Sequence, residues 1–194
     1  MKRILVLNGH PAETSLSRSL AQTYAEAAGS AGNAVRVIHL HDLTFDMDFG
    51  FAGYKTVKPL EPVLEGVLKD LEWAEHLVLI TPMWWGGLPA KLKGLLDRIL
   101  LPGRAFDTRN MKWGMPAPLL QGRSARVIIT SDTPGWFFRL AYKNALIWQI
   151  KGQILNLIGI TPSRFTHFAG ASDPRPGVID TWLRETRRLG TAAA

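Results

Sequence analysis

The chain has 194 residues, 46% of them hydrophobic and 20% charged, with no cysteine, which excludes a disordered chain, a disulfide scaffold and thiolate or cysteine-ligated metal chemistry. Its formal charge of +7, from 23 Lys plus Arg against 16 Asp plus Glu, favours anionic partners. That partner could be nucleic acid or a phosphorylated cofactor; the cations are scattered, and their one cluster, Arg184, Arg187 and Arg188 in the final helix, reads more readily as dipole-compensating or solvated than as a nucleic-acid site.

In chain order, Ile4–Leu7 is a short apolar run with the character of a buried strand, too short for a signal peptide's core. It leads through Asn8-Gly9-His10-Pro11 to Thr14, Ser15 and Ser17, hydroxyls placed where a helix starts at Leu16. A helix N-terminus offers unpaired N–H groups and the positive end of a dipole, so this loop suits a phosphate. It carries neither the G-x-G-x-x-G nor the G-x-x-x-x-G-K-[ST] pattern, so a dinucleotide fingerprint and a P-loop are both disfavoured. On these residues alone, a plain N-cap is an equal reading.

The helix runs toward stop signals at Gly29 and Gly32 and is followed by a strand at Val35–Leu40. A long connection, Asp42–Pro62, precedes a helix with apolar positions at Leu64, Val67, Leu68 and Leu71. A third strand, Leu77–Thr81, ends in Pro82-Met83-Trp84-Trp85-Gly86-Gly87-Leu88-Pro89. Two adjacent tryptophans among prolines and glycines at a strand end suit a flat aromatic ligand, and the alternative is one core plug and one dimer contact. Leu92, Leu95, Leu96 and Ile99 then mark a helix that starts near Pro89. A second long connection, Leu101–Gly122, leads to a fourth strand at Ala125–Thr130, which ends in Ser131-Asp132-Thr133-Pro134. An aromatic stretch from Trp136 to Trp148 follows, and Arg139, Lys143 and Lys151 interrupt the apolar region 136–160, so no membrane span is expected there. A fifth strand, Arg164–Phe168, and a final helix complete the chain.

Strands alternating with helices imply an α/β fold, a five-stranded parallel sheet with helices on both faces, because parallel neighbours need crossovers. The expectation is one domain over 1–194 in the cytoplasm. Ligands of such sheets sit beyond the carboxyl ends of the strands. Those ends carry a phosphate-type loop, an aromatic platform and a polar turn, which together describe a site for a flavin nucleotide. His39, His41, His76 and His167 lack ligand spacing, so no metal is expected.

The segments Gly9-His10-Pro11, Ser15-Leu16-Ser17, Pro82 through Gly94 and Asp97-Arg98 resemble the NAD(P)H:quinone reductase family of flavodoxin-like flavoproteins. The resemblance runs from the first strand through Phe168, and Pro82–Arg98 is its most specific part. It implies that His10, Ser15, Leu16 and Ser17 contact the flavin phosphates, that Pro82, Met83, Trp84 and Trp85, with Gly86, line the ring, and that Thr130, Ser131, Asp132 and Thr133 hold its pyrimidine side. It further implies FAD, with FMN as the alternative, NAD(P)H as cosubstrate, a quinone or similar small-molecule acceptor, and a homodimer. The lean to FAD rests on His10 and on the long Asp42–Pro62 connection. Two departures stand out. Asp132 and Thr133 replace a pair of glycines, and the family's Tyr and His over the flavin fall on Phe138 and Asn144. No side chain is expected to act as a covalent catalyst. An azo or nitro reductase, an electron-transfer flavoprotein, and a regulatory or nucleic-acid-binding module with a vestigial pocket are the other readings.

Overall fold

The computed structural model of the chain describes residues 1–50 and 58–193. Strand β1 (Arg3–Asn8), helix α1 (Leu16–Ser30) and strand β2 (Ala34–His39) come first, then α2 (Pro62–Trp73), β3 (His76–Pro82) and α3 (Ala90–Ile99). A hairpin of β4 (Phe106–Lys112) and β5 (Met115–Pro118) precedes β6 (Arg123–Ser131) and α4 (Gly135–Leu140). Helix α5 (Ala145–Trp148) runs on into a π-helical segment, Gln149–Asn156, before β7 (Ile160–Ala169) and α6 (Val178–Ala192). The main sheet has the order β2-β1-β3-β6-β7, and every pairing in it is parallel.

The two faces of the sheet follow from the period of two along each strand. Leu5 and Leu7 of β1, Leu77 and Leu79 of β3, and Val127 and Ile129 of β6 face a core built from α2, α3 and the helical region after β6, with Leu64, Leu68, Leu92 and Leu95 fully buried. Ile4, Val6, Val78, Ile80 and Ile128 face the opposite core with Leu20, Ala21 and Tyr24 of α1 and Leu189 of α6. Each buried leucine contributes about 2 kcal/mol of transfer free energy. The strands are apolar on both sides because helices cover both faces.

Helices α1 and α6 approach until backbone meets backbone: a Cβ on Gly190 would lie 2.5 Å from the Tyr24 carbonyl oxygen. On the other face Arg98 of α3, 1% exposed, reaches the descending chain, donating to the Glu61 carboxylate at 2.7 Å, to the Pro59 carbonyl at 3.0 Å and to the Asp46 carbonyl. It thereby ties both described ends of the Asp42–Pro62 connection to the body, and residues 51–57 of that connection lie outside the described residues.

Two local features differ from the sequence expectation. The Leu101–Gly122 connection holds a hairpin of its own, turned at Trp113 and Gly114, whose φ values of 54° and 76° are those a two-residue hairpin turn requires. Charged and polar Asp107, Arg109 and Asn110 hide its alternation. Strand β7 starts at Ile160 rather than Arg164, because a proline that would break a central strand is tolerated at Pro162 on this edge strand. No helix among the described residues is long and apolar enough to cross a membrane.

Candidate functional site

The order of strands reverses between β1 and β3, since β1 sends its crossover to β2 on one side while β3 lies on the other. That reversal opens a crevice at the carboxyl ends, where connecting loops diverge. The loop after β1 is shaped by side chains rather than by glycines. Asn8 Oδ1 accepts from the His10 N–H at 3.2 Å, and His10 Nδ1 accepts from the Ala12 N–H at 3.0 Å. Ser15 caps α1, its Oγ accepting from the Arg18 N–H at 3.1 Å, so the N-cap reading of this residue is realised. Capping uses the Arg18 and Ser19 N–H groups and leaves those of Leu16 and Ser17 without helical acceptors.

Beside them, the Ser17 hydroxyl is buried with no hydrogen-bond partner. A buried hydroxyl left unmade costs about 1–3 kcal/mol, so an orphan at a helix N-terminus marks a place where a ligand belongs. A cavity of about 240 Å³ opens here, lined by His10, Thr14, Ser15, Leu16, Ser17, Pro82, Met83, Trp84, Thr130, Ser131, Asp132, Ala171 and Ser172. Burial lowers the proton affinity of His10, whose ring stands edge-on to Trp84 at 5.5 Å.

After β3 the Met83 N–H is held by the Thr130 carbonyl at 2.8 Å, which locks the two strand ends together. Trp84 and Gly87 then exchange backbone hydrogen bonds at 3.0 and 2.9 Å, closing a tight turn over Trp85 and Gly86. These central residues have φ values of 50° and 74°. For Gly86 that is free; for a bulky tryptophan it is strained, and such strain gathers at ligand sites. The turn consumes the N–H groups of Trp84 and Gly87 and leaves those of Trp85 and Gly86. Trp85 is fully exposed and Trp84 is 45% exposed, so neither tryptophan plugs the core.

A second cavity, of about 550 Å³, is lined by Met83, Trp85, Gly86, Ser131, Asp132, Thr133, Phe138, Tyr142 and Ala145. Met83, Ser131 and Asp132 line both cavities, so the two lie side by side. At the polar turn the Asp132 carboxylate accepts from the N–H and the hydroxyl of Ser172, each at 2.7 Å, and these bonds hold its pKa below the usual carboxylate range. Ser131 Oγ lies 2.7 Å from His167 Nε2, and burial lowers the proton affinity of that imidazole.

All the site residues expected from sequence line one cavity or both. His10, Ser15, Leu16, Ser17, Pro82, Trp84 and Thr130 fall on the smaller, and Trp85, Gly86 and Thr133 on the larger. The two tryptophans therefore face different compartments. The fifth strand end was missed: Ala171 and Ser172 close the small cavity, and the small-residue turn Gly170-Ala171-Ser172 was the available signal. Tyr142 and Phe138 on the larger cavity come from the aromatic stretch, which splits between core and rim. Phe138, Leu146 and Ile150 are buried, while Trp136, Leu140, Tyr142 and Trp148 are exposed. Among the described residues no three His, Cys, Asp or Glu side chains group as a metal site. His76 instead sits in the core between Tyr24 Oη at 3.4 Å and Ser124 Oγ at 2.8 Å.

The chain resembles NAD(P)H dehydrogenase [quinone] 1 of Rattus norvegicus, at 24% identity over 95% of this chain and 76% of the rat protein. It is 27% identical to an FMN-dependent NADH:quinone oxidoreductase of Beijerinckia indica, over 90% of this chain and 91% of that one. Among solved structures, Smu.1420 from Streptococcus mutans UA159 superposes with a TM-score of 0.83 at 26% identity, covering 97% of this chain and 98% of that one. The family model described as the flavodoxin-like fold matches residues 2–188, and the chain belongs to that family.

Proposed function

We propose that the chain, acting as one domain, is a flavin-dependent oxidoreductase that passes electrons from NAD(P)H to a quinone or a similar flat acceptor. The observation that carries this reading is the orphaned Ser17 hydroxyl at the α1 N-terminus, set in a small polar cavity beside a larger one rimmed by aromatic side chains. The donor set fits a phosphate at one end and a planar heterocycle at the other. The relatives of matching length carry quinone oxidoreductase names.

In this reading the Leu16 and Ser17 N–H groups, the Ser17 hydroxyl and the α1 dipole hold the phosphate. The free N–H groups of Trp85 and Gly86 and the Ser131–Thr133 turn meet the polar edge of the ring, where preorganised donors stabilise negative charge. Asp132 is spent on Ser172, which limits its repulsion of an anionic ligand. A bound flavin supplies a carrier that accepts hydride from a nicotinamide and gives two electrons to the acceptor. Trp85, Tyr142 and Met83 supply the apolar walls against which nicotinamide and acceptor would alternate. Thr130, buried with its carbonyl bonded to Met83, keeps the floor fixed.

The nucleotide is read here as FMN, because a relative of matching length, the Beijerinckia indica oxidoreductase, is named for it. FAD is the alternative. A homodimer goes with the reading, since Met111, Trp113, Met115, Trp136, Leu140 and Trp148 are exposed apolar side chains of the kind an interface covers. So does a cytoplasmic location, because a chain without cysteine suits a reducing compartment. The test is to purify the protein, record its absorption, release and weigh the cofactor, and mix the holoprotein with NADH and NADPH under anaerobic conditions. A yellow protein that bleaches stoichiometrically and is recoloured by a quinone is expected. A colourless protein that takes up neither FMN nor FAD would overturn the reading.

A further inference from the structure

The proton that balances charge during flavin reduction has no donor at the positions the family resemblance would use. Phe138 lines the larger cavity with a hydrocarbon ring, and Asn144 is the left-handed N-cap residue of α5 and lines neither cavity. The structure puts a different titratable group within reach of both cavities. Ser131, at the end of β6, lines each of them, and its Oγ lies 2.7 Å from Nε2 of His167 on β7. We infer that His167, acting through Ser131, takes up a solvent proton when the neighbouring cavity gains negative charge, and so serves as the positioning and charge-balancing group of the reductive step. This rests on the flavin reading above.

The geometry gives the dyad two polar states. A 2.7 Å contact between a hydroxyl and an imidazole nitrogen holds one proton. With His167 neutral and its proton on Nδ1, the Ser131 O–H donates to Nε2, and Ser131 offers the cavity only lone pairs. With His167 protonated, Nε2–H donates to Ser131 Oγ, and the hydroxyl proton is released to turn toward the cavity or the Thr133 carbonyl, 3.5 Å away. Protonation at one nitrogen thus converts Ser131 from an acceptor into a donor facing the ligand. The ring is fixed for this role by Phe138, packed at 5.0 Å between ring centres and tilted by 54°. Its Nδ1 has no hydrogen-bond partner among the described residues, and the side chain is half-buried rather than enclosed.

The surroundings leave His167 as the responsive group. On β6, Asp132 is committed to Ser172, and Arg126 belongs to the far half of the strand. On α4 the one charged side chain is Arg139, which is exposed; on the π-helical segment it is Lys151, which lies over the Trp148 ring. On β7 itself Arg164 is three residues back, and on the loop beyond it Asp173 is exposed. Burial alone lowers the proton affinity of His167, with no charged neighbour contributing, so the imidazole is neutral at pH 7 before electrons arrive. A negative charge one hydroxyl away acts in the opposite sense, raising proton affinity by about ten-fold or more. In the balanced step, hydride carries two electrons and one proton from the nicotinamide, and the second proton comes from water to His167 Nδ1. The cavity ends with no net gain of charge.

The test follows the ring protons of His167 by NMR across a pH series, in flavin-loaded protein before and after reduction with dithionite, which needs no nicotinamide. The expected result is a titration midpoint about one pH unit higher in the reduced protein, ten-fold in proton affinity. Proton uptake on reduction, measured in weakly buffered solution, should also be larger in the native protein than in His167→Gln, which keeps a donor to Ser131 but cannot titrate. An unmoved midpoint, or equal proton uptake in the two proteins, overturns the inference while leaving the flavin reading intact. A protein that binds no flavin overturns both.

Discussion

Arg98 and Glu61 meet at 2.7 Å across the junction of α3 with the start of α2, the guanidinium 2% exposed and the carboxylate 32%. The pair is asymmetric: the buried partner also supplies the donors for the Asp46 and Pro59 carbonyls. Arg98→Met fills the same space but takes this donor from the Asp46 and Pro59 carbonyls and leaves the Glu61 carboxylate with the Asp46 N–H. Removing one member of a buried pair costs about 3 kcal/mol, so the variant should show a clearly lower urea midpoint with an unchanged m-value. A midpoint equal to that of the native protein would mean the tether is idle.

Ser17 separates stability from binding. Ser17→Ala removes a buried hydroxyl that has no partner in the ligand-free chain, so the apoprotein should be as stable as the native one or slightly more so. If Ser17 holds the flavin phosphate as proposed, the same change deletes a donor to it and weakens flavin binding by about 1–1.5 kcal/mol, roughly ten-fold in Kd. Calorimetry of the apoprotein and a fluorescence titration with FMN give the two readings. Loss of stability together with unchanged affinity would assign Ser17 a purely structural role.

At Trp85 the backbone is held at a φ of 50°, a conformation that costs a bulky residue on the order of 1–3 kcal/mol. Trp85→Gly relieves that strain and adds chain entropy to the unfolded state, and the two effects nearly cancel in stability. Because the exposed ring contributes little to the core, the measurable loss should fall on the ligand. The Michaelis constant for a quinone is expected to rise several-fold while the melting temperature stays close to native. A melting temperature several degrees lower would place the indole in the fold's support instead.

His76 predicts an acid-side weakness in the fold. Burial lowers its pKa to about 4, with the charges of Lys2, Arg126 and Arg164 opposing protonation further. The value in the unfolded chain is the ordinary 6.5, so between these pH values the unfolded state binds the additional proton and stability falls as pH falls. The loss begins below about pH 6.5, is complete near pH 4, and reaches on the order of 3 kcal/mol. Urea unfolding at pH 7 and pH 4.5 should show the slope, and His76→Gln should flatten it. A slope that persists undiminished in the variant would point to other groups.

Much of the fold is legible from period alone. Ile4–Leu7 and Leu77–Ile80 are continuous apolar runs, and Ala125–Thr130 is one broken only by Arg126, because both faces of their sheet are covered, and all three form strands. The cavity linings are legible where they sit at a strand end next to distinctive residues, as with Ser15–Ser17 and Pro82–Gly86. It was not legible where the signal is a contact between distant residues. Ser172 reaches Asp132 across 40 positions and His167 reaches Ser131 across 36, and nothing local in either sequence marks the partner. Arg98 shows the same, since its acceptors are two carbonyls and a carboxylate, 37 to 52 positions away, that no periodicity reveals.

The contact at Gly190 makes the first and last helices a single plate. With only hydrogen between α6 and the Tyr24 carbonyl, any side chain at that position would pry the two apart. The displacement would reach the cradle proposed for a phosphate, because the opposite end of α1 carries Ser17. A methyl group added near the end of the chain could therefore loosen a ligand held near its beginning.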